Sequence, residues 1–155
     1  MPRLPVSSIK DPLVCNGAAL RKATRRLTQL YDAVLAPCGL TIVQRSVLVH
    51  IERGNEPTPS ELAHAMVLDL SALARSLKPL ERDGYLVQKR DERDGRSRRV
   101  VLTTRGKAKL AESNQLWRKA QGRFEEIYGV ERAAALRQSL ADIFSDEFAQ
   151  AFNQA

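Results

Sequence analysis

Cysteine is scarce in this chain: Cys15 and Cys38 are the only two among 155 residues. That excludes a disulfide scaffold and makes free thiols in a cytoplasmic protein the expectation. Histidine is equally rare, and His50 and His64 stand 14 positions apart. No metal site and no cofactor are expected from so few soft ligands. The chain has no P-loop, no dinucleotide glycine motif, no G-x-S-x-G and no H-E-x-x-H, so an enzyme is not expected. No uncharged apolar run reaches the roughly 20 residues of a bilayer span, so no membrane partner is expected. The opening Met1-Pro2-Arg3-Leu4-Pro5-Val6 lacks the apolar core of a secretory leader.

Apolar residues make up 43% and charged residues 28%, the balance of one compact domain. Net charge is +7, and the sequence pI is about 9.8, which points to a polyanionic partner. The excess is unevenly placed. Residues 1–26 carry +5, residues 27–88 carry −2, residues 89–109 carry +6 and residues 110–155 carry −2. The second basic stretch lies mid-chain between apolar alternations, so it is not a basic tail.

Residues 1–12 hold three prolines and little apolar pattern, and read as an extended arm. From Leu13 to Ala36, Leu20, Ala23, Leu27, Leu30 and Val34 recur at helical spacing, with Arg21, Lys22, Arg25 and Arg26 mostly off that stripe. Pro37-Cys38-Gly39 ends this helix. Thr41 and Gln44 form a capping box that opens a second helix over 42–53, with Val43, Val47, Leu48 and Ile51 expected inside. Thr58-Pro59-Ser60-Glu61 is another capping box, with proline at the first helical position. The short helix it opens runs to about Met66. A brief connector leads to a further helix over 70–83, stopped by Gly84.

Two short helices joined by a tight connector form a helix-turn-helix pattern. On the second, Leu73, Leu77 and Leu80 fall within about 60° of one another, and Ser71, Arg75, Lys78 and Arg82 share an arc on the opposite side. A solvated face normally mixes signs; here Glu81 and Asp83 sit to the side, which favours DNA contact. Pro79 is expected to bend the last turn, either as a tolerated kink or as a fit to a groove.

Residues 85–103 read as a hairpin with a charged tip, because strand-forming flanks surround Asp94-Gly95. It carries Lys89, Arg90, Arg93, Arg96, Arg98 and Arg99. A tip arginine suits the minor groove, while Asp91, Glu92 and Asp94 are placed to pair with arginines and stiffen the turn. The two roles are compatible. Thr104 is expected to cap a long helix over 105–128. A single last helix over 131–152 then carries Leu136, Leu140, Phe144, Phe148 and Phe152 in one i, i+4 row, with Ile143 beside it. So large an apolar terminal face predicts a dimer interface shared with the first helix, the alternative being packing on its own domain.

The run from Asp91 to Gly106, with D-x-R-D-x-R, a short apolar strand and L-T-x-x-G, resembles the wing signature of the MarR family of bacterial regulators. Leu68-Asp69-Leu70-Ser71, Leu80-Glu81-Arg82-Asp83-Gly84-Tyr85-Leu86 and Gly39-Leu40-Thr41 are similar to the same family, so the resemblance covers about residues 13–150. It implies a mainly α fold: a single domain over 13–152, with a winged helix-turn-helix lobe over about 41–104 and a two-stranded β-wing. Dimerisation helices over about 13–36 and 105–152 complete it. The implied function is a homodimeric transcriptional regulator, by family habit a repressor, on a pseudo-palindromic double-stranded DNA operator.

By position, Ser71, Ala72, Arg75 and Ser76 match the family's contacting helix residues, and Asp94 and Arg96 match its wing pair. Ser60 and Lys78 join the candidate DNA contacts. Lys89, Arg90 and Arg98 are phosphate candidates by charge. Arg75 is the candidate base reader, since arginine bonds guanine O6 and N7 together. Relatives of this type release DNA on binding a small effector, often aromatic or phenolic, in a crevice lined here by the first and second helices and the start of the long one. Arg45, His50 and Trp117 are the candidate anchors; ordinary packing roles are the alternative. Other relatives sense oxidants through a cysteine near the start of the first helix, where Cys15 lies. That branch pairs its cysteine with two tyrosines. Tyr31 stands for one at shifted spacing, and Ile42 occupies the place of the other. Cys38 is either a resolving partner or a small loop residue. A protein-docking winged helix and a non-specific architectural binder are the competing classes, and the excess of basic charge argues against the first.

Overall fold

A computed structural model describes residues 15–91, 94–95 and 97–154. The expected N-terminal arm over 1–12 and the wing residues Glu92, Arg93 and Arg96 lie outside the described residues. The chain runs α1 (Asn16–Leu35), a 3-10 turn (Ala36–Cys38), α2 (Ile42–Arg53), α3 (Pro59–Ala65), α4 (Leu70–Arg82), β1 (Leu86–Arg90), β2 (Arg98–Leu102), α5 (Thr104–Tyr128), α6 (Val130–Ile143) and α7 (Asp146–Gln154). The mainly helical fold with a two-stranded wing is the one the sequence implies. Among the described residues no single helix is long and apolar enough to cross a membrane.

Both capping boxes form. Thr41 Oγ1 accepts from Gln44 N at 3.1 Å, and the Gln44 side chain accepts from Thr41 N at 3.0 Å. Thr58 and Glu61 make the same exchange at 3.2 and 2.7 Å. These reciprocal bonds satisfy amides that a helix start otherwise leaves open. At α4, Asp69 Oδ1 accepts from Ala72 N at 2.7 Å. α4 continues through Pro79 to Arg82.

The core gathers Leu35, Val47, Leu48, Ile51, Leu62, Leu73, Leu77, Leu80, Leu86, Val100 and Leu110. It fastens α2, α3, α4 and the hairpin to the start of α5. β1 and β2 pair antiparallel, Leu86 with Leu102 through Arg90 with Arg98. Pro57 O accepts from Val100 N at 2.9 Å, so the α2–α3 loop runs along the outer edge of β2. Gly106 seals the joint between hairpin and α5: any Cβ there would overlap the carbonyl oxygen of Tyr85. In the α3–α4 turn, exposed Val67 holds a left-handed φ of 52°, a costly conformation for a β-branched residue.

Three expectations are corrected. Val43 is 52% exposed. It lies in the first turn of α2, and helical side chains lean toward the N-terminus, past the end of the packed face. The cap of α5 is Thr103, not Thr104: its Oγ1 accepts from Gly106 N at 2.9 Å and donates to Gly84 O at 2.7 Å. The last helix is two helices. α6 stops at Ile143, and Ser145 Oγ restarts α7 by accepting from Phe148 N at 3.1 Å. A local side-chain cap there competes with the i→i−4 ladder, so the phenylalanine row is broken after Phe144.

Candidate functional site

Beyond its first residue, exposed Leu70, α4 turns its leucines and its cations to opposite sides. Leu73, Leu77 and Leu80 are at most 3% exposed, and on the opposite side Ser71, Arg75, Lys78 and Arg82 are exposed. Burial of the leucines fixes the rotation of the helix, so the cations must face outward. Arg82 is engaged by Asp83 at 2.9 Å. Ala72 is half-buried, and Ser76 Oγ donates to Ala72 O at 3.0 Å, so that hydroxyl is spent on the helix backbone. Ser60 is exposed on the first turn of α3.

On the hairpin, Lys89 and Arg90 end β1 and Arg98 begins β2, all three exposed. Arg90 and Arg98 are register partners in the last pair before the tip, which concentrates charge at the outer end of the wing strands. Asp94 is exposed at the tip. Arg99 has a different role. Its Nε donates to Asp91 Oδ2 at 2.6 Å, and its Nη1 lies 3.5 Å from Glu61 Oε2 and donates to Glu56 O at 3.3 Å. It therefore ties the wing to the start of α3. The expected stiffening of the turn by its acids is met here, through Asp91. Strand alternation puts Arg98 on the face of buried Val100 and Leu102 and Arg99 on that of Val101, so it carried no signal for this clamp.

The effector candidates are only partly brought together. Arg45 is 8% exposed, donates to Asn114 Oδ1 at 2.7 Å and lies 4.6 Å above the Trp117 ring. Its Nε is buried without a hydrogen-bond partner. Burial, with repulsion from Arg53, lowers its pKa from the ordinary arginine value. His50 Nδ1 sits 2.8 Å from Ser46 O, within its own helix.

A cavity of about 300 Å³ lies between α1, α5 and α6, capped by Ile42 at the start of α2. None of Arg45, His50 and Trp117 lines it. The expected crevice named α1 and α2 but not the middle of α5 or α6. Its walls are largely apolar: Leu27, Ile42, Phe124, Leu136 and Leu140. One corner is polar. Tyr31 Oη donates to Gln121 Oε1 at 2.9 Å, and both Gln121 Nε2 and Arg137 Nη1 donate to Glu125 Oε1, at 2.9 and 3.1 Å. The Gln121 bond, with help from Arg137, lowers the Glu125 pKa. Burial first, then the Glu125 charge, raises that of Tyr31. The sequence carried no local signal for this corner, because its members are separated by up to 106 positions.

Cys15 is exposed and precedes the first residue of α1, whereas Cys38 is buried and its Sγ donates to Leu35 O at 3.1 Å. Cys38 is thus a core residue of the turn. Tyr31 lies sixteen residues along α1 from Cys15, about 24 Å in a straight helix, so one chain does not bring them together.

A family model described as MarR family matches residues 39–97. The HTH-type transcriptional regulator SarZ of Staphylococcus epidermidis is 32% identical over 85 residues, which are 55% of this chain and 57% of SarZ. The match therefore spans little more than half the length of the curated relatives. Among solved structures, the transcriptional regulator MosR of M. tuberculosis in complex with DNA superposes with a TM-score of 0.76 at 33% identity, covering 88% of this chain and 97% of that one. The transcriptional repressor CouR bound to a 23-mer DNA duplex gives 0.79 at 28% identity, over 93% and 100%. CouR bound to p-coumaroyl-CoA gives 0.77 at 26% identity, over 93% and 99%.

Proposed function

This chain belongs to the MarR family, and from that premise we propose that it is a sequence-specific transcriptional regulator, a repressor, that binds a pseudo-palindromic operator as a homodimer and is released by a small effector. One observation carries the reading: the exposed serine and cations of α4, backed by the buried Leu73, Leu77 and Leu80 and accompanied by the basic outer end of the wing strands. A recognition helix has this design, since the leucines hold it rigidly while the cations reach phosphates and base edges. Arg75 reads a base, and Ser60, Ser71, Ala72, Ser76 and Lys78 support the helix against the duplex. Lys89, Arg90 and Arg98 hold phosphates, and Asp94 and Arg96 form the wing pair. Two-fold symmetry then sets half-sites about 10 bp apart.

The DNA complexes of MosR and CouR support the operator, and the p-coumaroyl-CoA complex of CouR supports a small effector. The apolar cavity beside α1 is the proposed effector site; Arg45, His50 and Trp117, the anchors expected from the sequence, do not line it. Exposed Cys15 favours a second reading, a thiol-based oxidant sensor; Cys15→Ser would then abolish release by peroxide. The test of the main reading is a gel shift on the DNA upstream of the chain's own gene against a scrambled duplex at about 150 mM salt, where non-specific binding is weakened. A preference of about a thousandfold supports specific regulation. Equal binding to that duplex, to scrambled DNA and to fragments selected from the whole genome would reduce the protein to a non-specific binder.

A further inference from the structure

We propose that Arg45 is a positioning residue for operator binding: its bond to Asn114 and its stacking on Trp117 hold α2 at one angle to α5, and through α2 they set how far apart the two recognition helices of a dimer stand. The proposal rests on the reading above of the chain as a homodimeric operator-binding regulator.

Arg45 is the one charged side chain buried among the described residues. No ion pair among those residues joins it to a carboxylate. Its Nη2 donates to Asn114 Oδ1 at 2.7 Å, its guanidinium carbon lies 4.6 Å from the centre of the Trp117 ring, and its Nε is buried without a partner. Asn114 and Trp117 are three residues apart on α5, so they are neighbours on one face of that helix. Burying a charge without an opposite charge is costly, and an apolar side chain of similar length normally serves a core better. Stability therefore does not account for Arg45. What the arginine supplies is direction. A planar guanidinium bonded at one edge and stacked on a ring fixes one arrangement of the two helices, as a contact between apolar surfaces alone does not.

The place of the contact decides what that direction controls. On one side α2 holds the recognition helix, since Val47, Leu48 and Ile51 share a core with Leu73, Leu77 and Leu80 of α4. Arg45 joins α2 to the middle of α5. From the end of α5 onward, exposed Ile127, Val130, Phe144 and Phe148 offer the apolar face expected to meet a second copy. The α2–α5 joint thus lies between the helix that reads DNA and the face that makes the dimer. Lys109 Nζ donates to Cys38 O at 3.1 Å and Ile42 N to Asp32 Oδ1 at 2.6 Å, which pins the start of α2. A helix pinned at its end can still swing. Arg45, one turn further on, adds the directional contact that stops the swing. One extra base pair displaces a half-site by about 3.4 Å and turns it by roughly 35°, so a dimer whose lobes are held in this way rejects it.

The experiment varies operator spacing. The operator found by the gel shift above is made with its native centre, with one base pair added there and with one removed, and affinity is read by fluorescence anisotropy at several salt concentrations. Wild type is expected to bind the native spacing about tenfold or more tighter than either altered form, roughly the penalty of a mismatched base pair. Arg45→Met is expected to cut that discrimination at least about threefold. Its salt slope is expected to match wild type, because a buried residue releases no counterion, and its urea midpoint to be no lower. Trp117 is the only tryptophan, and its emission is expected to change when the cation leaves its ring. Asn114→Ala is the second variant, decisive where Arg45→Met fails to fold. It is expected to relax discrimination too, and the double variant no further than either alone, because both act through one contact. Unchanged discrimination in folded variants overturns the proposal, whatever their urea midpoints. So does a salt slope lower by about one, which makes Arg45 a phosphate contact, or a Trp117 emission that ignores Arg45→Met. Wild type with no preferred duplex, or with equal affinity for all three spacings, defeats the regulatory reading and the proposal with it. Wild type that discriminates beside variants that discriminate equally defeats the proposal alone.

Discussion

Gly106 shows how one residue controls the relation between the wing and the long helix. It is buried, and the carbonyl of Tyr85 occupies the space a Cβ would take. That carbonyl also accepts from Thr103 N at 3.1 Å, and the Arg105 guanidinium lies 5.4 Å from the Tyr85 ring. Backbone cannot retreat as a flexible side chain can. Gly106→Ala is therefore expected to cost about 1–3 kcal/mol through overpacking, read as a lower urea midpoint at unchanged m-value. Arg99 shows the opposite case, a charged residue in a structural role. Its bonds to Asp91 and the Glu56 carbonyl explain why it faces the α2–α3 loop while its neighbour Arg98 faces solvent.

At the scale of elements, α3 and α4 differ in what fixes them. α3 is seven residues long, so its caps matter more than its propensity. Hydrogen bonds from the Thr58 amide and hydroxyl hold the Glu61 carboxyl below its ordinary 4.5, with the nearby Arg99 charge adding to them. A depressed folded-state value contributes stability above the unfolded value that is lost as pH falls through the folded one. Amide exchange in the first turn of α3 is thus expected to accelerate on acidification below about pH 4.5, and Glu61→Gln to flatten that dependence. α4 is fixed by its three buried leucines, which leaves its outer face free for contact. Arg75→Ala is expected to cost about 1–3 kcal/mol at one base step and to relax specificity there. Lys78→Ala is expected to weaken all sequences alike and to lower the salt slope by about one. Fluorescence anisotropy on single-base operator variants separates the two; identical effects of both substitutions would sink the base-reader assignment.

The whole molecule leaves a large apolar surface uncovered. Ile127 is 87% exposed, Phe152 73%, and Leu30, Val130, Phe144 and Phe148 are exposed as well. Leu30 and Ile127 line a second groove of about 420 Å³ beside Val34 and Tyr128. Single exposed leucines are ordinary, but six large apolar residues on α1 and α5–α7 are more than a monomer of this size normally leaves in water. A second copy covering them is the expected state. Ile127→Asp/Phe148→Asp is expected to shift sedimentation from dimer to monomer at micromolar concentration with helicity preserved. Monomeric wild-type protein at that concentration would contradict the dimer.

Much of this was legible in the sequence because it is local. Capping boxes, the 3.6-residue stripe of α4, the Asp94-Gly95 turn and the mid-chain charge excess each depend on residues a few positions apart, where spacing alone fixes geometry. The family resemblance rested on such segments too. What failed locally failed by one or two residues of competing hydrogen bonding: Thr103 rather than Thr104 as the cap, and Ser145 restarting a helix that periodicity read as continuous. What only the tertiary structure decided depends on residues far apart in the chain. The cavity joins α1 to α6, Arg45 meets Trp117 across 72 positions, and Arg99 reaches back to Glu61. A sequence fixes which face of a helix is apolar. Which distant face covers it, and where a gap is left, follow from packing the elements together.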